Sequence, residues 1–207
     1  MATEIPSNPS RGWRSAGTSV PDYLDWTRDL KGAELSASVG AGFNLAGGDR
    51  PERVTAARVT PSFFRVFGVR PASGRTFLEE EGTQGRTGSA VLSDAFWRRR
   101  FAADPGVIGQ KLLLDGASYT VVGIMPPDFK MPSSETDVWI PLAFDGTELR
   151  ANRNLDVIGR VKPNVWISGA ENELKSVAAR LAKTYAEDQG VSARMIRLDR
   201  EIYDDDF

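Results

Sequence analysis

Two runs of three consecutive carboxylates are the residues whose type most directly suggests acid–base or metal chemistry. The runs are Glu79, Glu80 and Glu81, and Asp204, Asp205 and Asp206. Pairs of carboxylates serve as general acid and base in enzymes, and carboxylates at i, i+2 and i+4 ligate Ca²⁺ in an EF-hand loop. Consecutive carboxylates lack that spacing and point in different directions. We therefore interpret both runs as solvated surface charge.

Three consecutive arginines, Arg98, Arg99 and Arg100, could form a phosphate-binding site. They fall in a predicted helix, where successive residues are about 100° apart around the axis. The three guanidinium groups would fan over most of the circumference and would not converge on one anion. A solvated helix face with one arginine paired internally is therefore the favoured interpretation.

Five tryptophans could form a stacking platform for a carbohydrate if their rings were exposed. They are Trp13, Trp26, Trp97, Trp139 and Trp166. Trp26, Trp97 and Trp139 lie beside apolar residues in predicted helices or strands, which favours core packing. Trp13 and Trp166 lie in polar or turn contexts, so these two are the candidates for exposure.

Histidine and cysteine are both absent from the 207 residues. Their absence removes the commonest general base and metal ligand, together with thiolate nucleophiles, disulfides and cysteine-ligated metals. A Ser-His-Asp triad is thereby excluded. A Ser–Lys pair stays possible by composition, but no S-x-x-K run occurs in a suggestive context.

Glycine-rich phosphate-binding motifs are the remaining class of chemical signal. No P-loop pattern occurs. Gly40 and Gly42 begin a dinucleotide-like G-x-G-x-x-G run, but Leu45 occupies the third glycine position, so small residues packed in a strand are the favoured explanation. The sequence therefore predicts no catalytic, cofactor-binding or metal-ligating residue, no cofactor, and a protein that is not an enzyme.

The composition is that of a globular protein, with 41% hydrophobic and 26% charged residues. The formal net charge of −2 predicts no general attraction to nucleic acid or to an anionic membrane. No apolar run approaches the roughly 20 residues that span a bilayer, and no signal peptide is visible at Met1. We expect either a cytosolic protein or an excised piece of a larger one.

The elements that must position these residues are clearest between Ser89 and Met125. A buried strand over 89–92 precedes a helix over 94–101, for which Ser93 is the predicted N-cap. The run 104–106 (Asp-Pro-Gly) should end that helix, with Gly106 in a left-handed conformation. Asp-Gly at 115–116, between the β-rich runs 111–114 and 117–122, is the strongest short-range signal for a hairpin.

Further helices and strands are predicted on both sides of this stretch. Ser19 should cap a helix to Leu30, and Thr60 should cap a helix that starts at Pro61. Strands are predicted over 35–45, 53–59, 155–161 and 137–142, the last at a sheet edge because of Pro141. A capping box at Ser168 and Glu171 should open a helix to about residue 187. A strand over 191–198 would close a β-α-β unit.

The ordered set of motifs resembles the MacB-like periplasmic core domain of MacB/FtsX-type ABC permeases, including those of acidobacteria. The matching runs are PDYLDW (21–26), ARVTPSFFRVFGVRP (57–71), GRTF (74–77), VLS (91–93), FWRRRF (96–101), DG (115–116), YTVVGIMPP (119–127), DVWIPL (137–142) and GRVKP (159–163). They cover nearly the whole chain in order, and it is the ordered set, not any single run, that is specific.

The resemblance implies an α+β fold made of two subdomains. A discontinuous porter-like β-α-β subdomain would comprise residues 1–56 and 149–207, and a mostly-β, sabre-like subdomain would be inserted over 57–148. The family usually has a strand just upstream of residue 1, so we expect the porter-like sheet to lack an edge strand or to be completed by a neighbour. Where the family writes Pro-Gly-Val-Thr, this chain has Pro163, Asn164, Val165 and Trp166.

The resemblance also implies a function. The chain would be the extracytoplasmic, periplasmic domain of an inner-membrane ABC permease, non-catalytic, relaying ATP-driven motion to a partner or cargo. Its partners would be its own transmembrane helices, a separate ATPase subunit or domain, a periplasmic protein and a second permease, with no nucleic acid. The alternatives are a free-standing glycan- or peptide-binding module that uses exposed aromatics, and an enzyme with carboxylate or Ser–Lys chemistry.

Overall fold

The computed structural model of the chain describes residues 17–46 and 52–198. These ranges hold nine strands and four α-helices, an α+β mixture as predicted. The strands are β1 (Thr18–Ser19), β2 (Ala33–Ala46), β3 (Glu52–Val59), β4 (Ser73–Gly74), β5 (Ser89–Leu92), β6 (Lys111–Leu114), β7 (Ala117–Ile124), β8 (Val138–Pro141) and β9 (Arg153–Val161). The helices are α1 (Val20–Asp29), α2 (Phe63–Phe67), α3 (Asp94–Phe101) and α4 (Ile167–Thr184). Among the described helices, none is long and apolar enough to cross a membrane.

The chain divides into two compact units. The first combines residues 1–37 with 146–207, and the second comprises 38–145. The predictions for Trp13 and for the aspartates 204–206 fall outside the described residues.

The first unit packs α1 and α4 beside β1, β9 and the start of β2. β1 pairs antiparallel with β9, and β9 also neighbours β2. Ser19 is the N-cap of α1, as predicted, because its hydroxyl oxygen accepts a hydrogen bond from the Asp22 N–H at 3.2 Å. The spacing of Tyr23, Trp26 and Leu30 predicts that they share one face of the helix, and all three are buried.

Helix α4 differs from its prediction at both ends. Its N-cap is Trp166, no side chain caps its first turn, and the predicted capping box of Ser168 and Glu171 does not form. The helix begins before Ser168, so that residue lies inside the first turn. Helix α4 ends at Thr184, earlier than predicted, because Tyr185 leaves the helical conformation and a 3-10 turn (Ala186–Asp188) follows. The 3–4 spacing of Ala170, Leu174, Val177, Leu181 and Tyr185 predicts one buried face. The first four are buried, but Tyr185 is 38% exposed because it lies beyond the end of the helix.

The strand predicted over 191–198 is wrong. Residues 191–197 form neither helix nor strand, and only Ala193 among them is buried. Alternation indicates which face a strand would bury, but a strand also needs a partner for its backbone hydrogen bonds. No described strand pairs with this segment.

The second unit is a mixed sheet with α2 and α3 beside it. β2 pairs antiparallel with β3, β3 parallel with β8, β8 antiparallel with β5, and β5 parallel with β7. β7 also pairs with β4 and β6. The edge position predicted for the Pro141 strand is therefore wrong, since β8 lies between β3 and β5. Pro141 is tolerated because it is the last residue of β8 and lies beyond the residues paired with β5.

The Asp-Gly hairpin forms as predicted between β6 and β7. Asp115 and Gly116 have φ of 46° and 81°, the pair of positive values that a type I′ turn requires. The Asp115 carboxylate also accepts hydrogen bonds from the Asn44 N–H at 2.9 Å and from its side-chain amide at 2.8 Å. These bonds hold the pKa of Asp115 below its usual range.

Helices α2 and α3 follow their predictions in part. Ser93 caps α3 through a 3.2 Å bond from the Phe96 N–H, as predicted. The helix ends at Ala102 and Ala103, which adopt the left-handed conformation with φ values of 48° and 58°. The prediction that Gly106 takes this role is therefore wrong. Helix α2 begins at Phe63, later than predicted, because the preceding residues form a turn.

Two apolar clusters form the core of the second unit. One packs α3 through Phe96 against β3, β5, β6, β7 and β8. The other is aromatic and holds Phe63, Phe64, Phe77, Phe129 and Trp139. Ring centroids of Phe64 and Trp139 lie 5.8 Å apart in an edge-to-face arrangement, the geometry that aromatic quadrupoles favour.

Candidate functional site

A buried cluster of five charged side chains is the most concentrated polar feature of the first unit. Its members are Asp22, Asp25, Arg150, Arg153 and Asp188. We call it the ionic cluster. Charged side chains are rarely buried unless they are paired, so this concentration identifies a site that the fold must maintain.

Three separate segments supply the ionic cluster. Asp22 and Asp25 are three residues apart on α1, so they project from one face of that helix. Arg150 lies in the turn before β9, and Arg153 is the first residue of β9. Asp188 ends the 3-10 turn that follows α4. The cluster therefore joins the start of the unit to the segment after its last helix.

Arg150 bridges all three carboxylates. Its Nη1 donates to Asp22 and, at 3.2 Å, to Asp188, while its Nη2 donates to Asp25 at 2.7 Å. The Tyr185 ring stacks on the guanidinium, with the ring centroid 3.8 Å from Cζ, a favourable cation–π distance. Arg150 is thus fixed from two sides, by carboxylates and by an aromatic face.

Arg153 bridges two of the same carboxylates from the other side. Its Nη1 donates to Asp22 Oδ2 at 2.7 Å and its Nη2 to Asp188 Oδ1 at 2.6 Å. The Ser19 hydroxyl donates to Asp22 Oδ2 at 2.7 Å. Asp22 therefore accepts from two guanidiniums and a hydroxyl, which compensates the burial of its charge.

Burial makes the ionic cluster electrostatically strong and sensitive to change. The side chains of Asp22 and Asp188 are only 2% and 3% exposed, and those of Arg150 and Arg153 are 11% and 15% exposed. Burial, followed by the nearby Asp22 charge, raises the pKa of Asp188 above its usual range. For Arg150, burial opposes the charge, but the carboxylates, beginning with Asp25, prevail and raise its pKa. The arrangement binds three segments of the unit together.

Further contacts tie α1 and the loop after it to α4. Arg180 of α4 pairs with Asp29 at the end of α1, and Glu173 of α4 accepts from the N–H groups of Lys31 and Gly32 at 2.7 and 2.8 Å. The hydrogen bond from Arg28, with the pairing to Arg180, holds the pKa of Asp29 well below its usual range. These contacts run along the unit beyond the ionic cluster.

The glutamate run 79–81 is only in part the solvated charge that we predicted. Glu79 and Glu80 are exposed, but Glu81 is buried. Arg75 donates to both of its carboxylate oxygens at 2.8 and 2.9 Å, the Leu78 N–H donates at 2.7 Å, and the Ser89 hydroxyl also donates. Burial alone would raise the pKa of Glu81, yet these donors lower it. The prediction fails because the 3-10 turn (Glu79–Gly82) folds this carboxylate inward.

The three arginines of α3 do not converge on one point, as predicted, but all three are paired. Arg98 pairs with Asp94 at 2.7 Å, and Arg99 with Asp137 at 3.0 Å. Arg99 and Arg100 also approach Glu52, at 3.3 and 3.5 Å. The expectation of a single internal pair is corrected, because carboxylates of β3 and its neighbours lie beside the helix.

Four of the five tryptophans lie in the described residues. Trp26 and Trp139 are buried, which confirms core packing, and Trp97 packs, partly buried, against the apolar cluster that contains Phe96. Trp166 is 83% exposed, as its turn context suggested. It borders an open cavity of about 340 Å³ together with Asn164 and Val165.

The remaining candidate motif, the Gly40 and Gly42 run, lies inside β2 and is not a phosphate-binding loop. In the described ranges, no group of three or more acidic residues is arranged to hold a metal ion. Sequence reasoning did not identify the ionic cluster. The only available signal was the placement of Asp22 and Asp25 beside Trp26 on the inward face of α1.

The family model that describes the MacB-like periplasmic core domain matches residues 3–177. Similar proteins include the macrolide export ATP-binding/permease protein MacB of Sodalis glossinidius, 31% identical over 111 residues, 52% of this chain and 17% of that protein. MacB 1 of Yersinia pestis (strain Antiqua) is 27% identical over 143 residues, 68% of this chain and 22% of that protein. The chain thus spans about a fifth of the length of these relatives.

Solved structures show the same fold at low sequence identity. The periplasmic region of MacB from Actinobacillus actinomycetemcomitans superposes with a TM-score of 0.70 at 12% identity, over 99% of this chain and 92% of that one. The extracellular domain of the noncanonic ABC-type transporter YknZ from Gram-positive bacteria gives 0.67 at 13% identity, over 93% and 99%. The chain belongs to the MacB-like periplasmic core domain family, the periplasmic domains of MacB-like ABC permeases.

Proposed function

We propose that this domain relays ATP-driven motion of membrane helices to a periplasmic partner or to cargo, without catalysis of its own. The observation that supports the proposal most directly is the ionic cluster. It fastens α1, the start of β9 and the segment after α4 to one another through buried charges. A relay must not yield when one of its ends is pulled, and buried, multiply bonded ion pairs resist separation.

Thr18 and Asp188, from the early and late segments of the first unit, both lie near the start of β9. Thr18 pairs with Leu155 near the start of β9, and Asp188, after α4, contacts Arg153 at the same end of that strand. We propose that both ends continue into transmembrane helices, as the resemblance implies. Motion of either helix would then act on the ionic cluster first.

The same proposal assigns the two units to the two subdomains that the resemblance implies. The unit of residues 1–37 and 146–207 would correspond to the porter-like subdomain, and the unit of 38–145 to the inserted, sabre-like subdomain. The resemblance gave these two subdomains as 1–56 with 149–207 and as 57–148. In the whole protein, an ATPase subunit or domain would drive the inner-membrane permease, and two permeases would form a dimer. The curated relatives are named for macrolide export, which makes macrolides the first cargo to test.

The free-standing binding module is the weaker alternative, because the similar proteins are permeases and domains of permeases. Its supporting feature, the exposed Trp166, fits a permease domain equally well. For an enzymatic function, the converging carboxylates among the described residues, Asp22, Asp25 and Asp188, are all bonded to Arg150, which supports a structural role for them.

The test uses the full-length permease with its ATPase in lipid nanodiscs. Backbone hydrogen–deuterium exchange over 17–37 and 146–198 is compared between ADP and a non-hydrolysable ATP analogue. We expect nucleotide-dependent exchange in the wild type and a smaller difference in Arg150→Met, with ATP hydrolysis retained. Arg98→Met, which removes an exposed pair in the other unit, is the control and should behave as the wild type.

Two results would contradict the relay. One is wild-type exchange in the first unit that does not respond to nucleotide while ATP is hydrolysed normally. The other is an unchanged nucleotide response in a folded Arg150→Met variant. Near-ultraviolet circular dichroism establishes that the variant is folded at the temperature of the measurement.

A further inference from the structure

The loop between β9 and α4 has an exposed apolar surface that is not packed in the core. Trp166 is the most exposed large apolar side chain among the described residues, and Val165 beside it is also exposed. Together with Asn164 they border the open cavity of about 340 Å³. We call residues 162–166, with Lys31 and Gly32 of the neighbouring loop, the distal tip.

The backbone of the distal tip is held in place. The Lys162 N–H donates to Gly32 O at 2.9 Å, and the Val165 N–H donates to Lys162 O at 3.2 Å. A Cβ on Gly32 would lie 3.3 Å from a Val165 methyl group, so the two loops are in close contact. Trp166 is therefore presented on a fixed support, a condition that lowers the entropic cost of binding.

The charges of the distal tip favour an anionic partner. In the described part of the chain, neither Lys31 nor Lys162 forms an ion pair, although the Lys31 ammonium donates to the backbone carbonyl of Arg28. The nearby acids are already engaged, since Glu173 accepts from two backbone N–H groups and Glu171 pairs with Lys175 at 2.6 Å. The first turn of α4 adds no acidic residue, so the positive end of the helix dipole reinforces the lysines.

The position of the distal tip is opposite the ionic cluster. β9 runs nine residues from Arg153 in the cluster to Val161 beside the tip, about 26 Å at the usual rise of a strand. Helix α4 returns over a similar length, about 26 Å for its 18 residues. If the ionic cluster faces the membrane, the distal tip faces the periplasm.

We propose that the distal tip docks an acidic segment of a periplasmic partner protein, with one apolar side chain of that segment against Trp166. The proposal rests on the function proposed above only for the side on which the partner lies. Aromatic residues in a partly enclosed site are typical anchors of protein interfaces, and lysines at the rim would select for acidic residues.

The test uses this 207-residue chain and needs neither ATP nor a membrane, so its failure is distinct from failure of the relay. The probe is a fluorescein-labelled peptide of acidic residues with one central leucine, and anisotropy reports binding. Trp166→Ala should weaken binding about tenfold and Lys162→Glu about threefold. Leu149→Ala, which truncates another exposed apolar residue of the same unit, should change it less than about twofold.

Control peptides distinguish an acidic, partly apolar segment from other possible ligands of the distal tip. Replacing the leucine by serine, or the acids by lysines, should abolish measurable binding. The proposal is overturned if the basic peptide binds as well, or if Trp166→Ala binds like the wild type. It is also overturned if maltohexaose binds at Trp166 and the acidic peptide does not, or if Trp166 instead mediates self-association in sedimentation velocity.

Discussion

Replacing Arg153 by methionine tests the ionic cluster in isolation from any partner. The substitution keeps a long side chain but removes both ion pairs, at 2.7 Å to Asp22 and 2.6 Å to Asp188. Two carboxylates that are nearly fully buried are then left facing each other with one guanidinium fewer. Removing one partner of a buried ion pair leaves an uncompensated buried charge, which is the costly part of such a change.

The expected loss is about 3 kcal/mol, the lower end of the range for a broken buried pair, because Arg153 is itself 15% exposed. For a protein of this length, that loss corresponds to about 6–12 °C in Tm. The loss should concern the first unit. Differential scanning calorimetry gives the transition, and native-state hydrogen exchange of amides in α1 and α4 assigns it to that unit.

The pKa of Asp188 determines how the loss of stability in Arg153→Met changes with pH. The pKa of Asp188 is raised in the folded chain, so the folded state favours the protonated form, and stability from this group is lost as pH rises through its folded pKa. Removing Arg153 raises that pKa further. The variant should therefore lose more stability at pH 7 than at pH 4, because the raised pKa leaves more of Asp188 protonated at the lower pH and less charge to compensate.

Two comparisons decide the outcome. Arg98→Met removes a pair whose arginine is 62% exposed, and should cost about 0–0.5 kcal/mol. Adding Asp188→Asn to Arg153→Met should recover part of the loss, since it removes the uncompensated charge. An equal loss at pH 4 and pH 7, or no recovery in the double variant, would refute the electrostatic reasoning and leave only lost packing.

Three further predictions concern the second unit. Gly123→Ala should prevent β4 from pairing with β7, because the new Cβ would lie 2.1 Å from Arg75 O; loss of amide protection at Ala72 and Arg75 would show it, and wild-type protection would contradict it. Trp139→Ala should cost about 3–5 kcal/mol in urea denaturation, as expected for a large buried aromatic, whereas a loss below about 1 kcal/mol would mean that the aromatic cluster is loosely packed. The pKa of Glu81 is lowered, so its contribution to stability is present above its unfolded pKa and is lost as pH falls through the folded pKa. Glu81→Gln should therefore destabilise the unit at pH 7 and flatten this acid dependence; an unchanged acid limb would assign the dependence to other groups.

Local structure was predictable wherever a few neighbouring residues determine it. Ser19 and Ser93 cap their helices as expected, because a hydroxyl needs to reach only the N–H three residues on. Asp115 and Gly116 form the hairpin because both take positive φ. The termination of α3 by Ala102 and Ala103 could not be predicted in this way, since alanine has no intrinsic preference for positive φ.

The wrong predictions concern features that depend on pairing between strands distant in the sequence. The residues 191–197 alternate but find no partner strand, and Pro141 ends a strand that lies inside a sheet. A proline is excluded from an interior strand only where a neighbouring strand needs a hydrogen bond from its N–H. Here the neighbouring strand β5 pairs only with Val138 and Trp139 and ends before Pro141. Neither outcome can be predicted from the local sequence pattern.

The sequence by itself determined the family, the absence of histidine and cysteine chemistry, and most helix and hairpin starts, because these depend on residue identity and short spacing. Only the tertiary structure decided the ionic cluster. Arg150 and Asp22 are 128 positions apart, and no local pattern in the sequence pairs one with the other. The packing of α1, β9 and the segment after α4 buries them together, and a buried charge is stable only beside its partner.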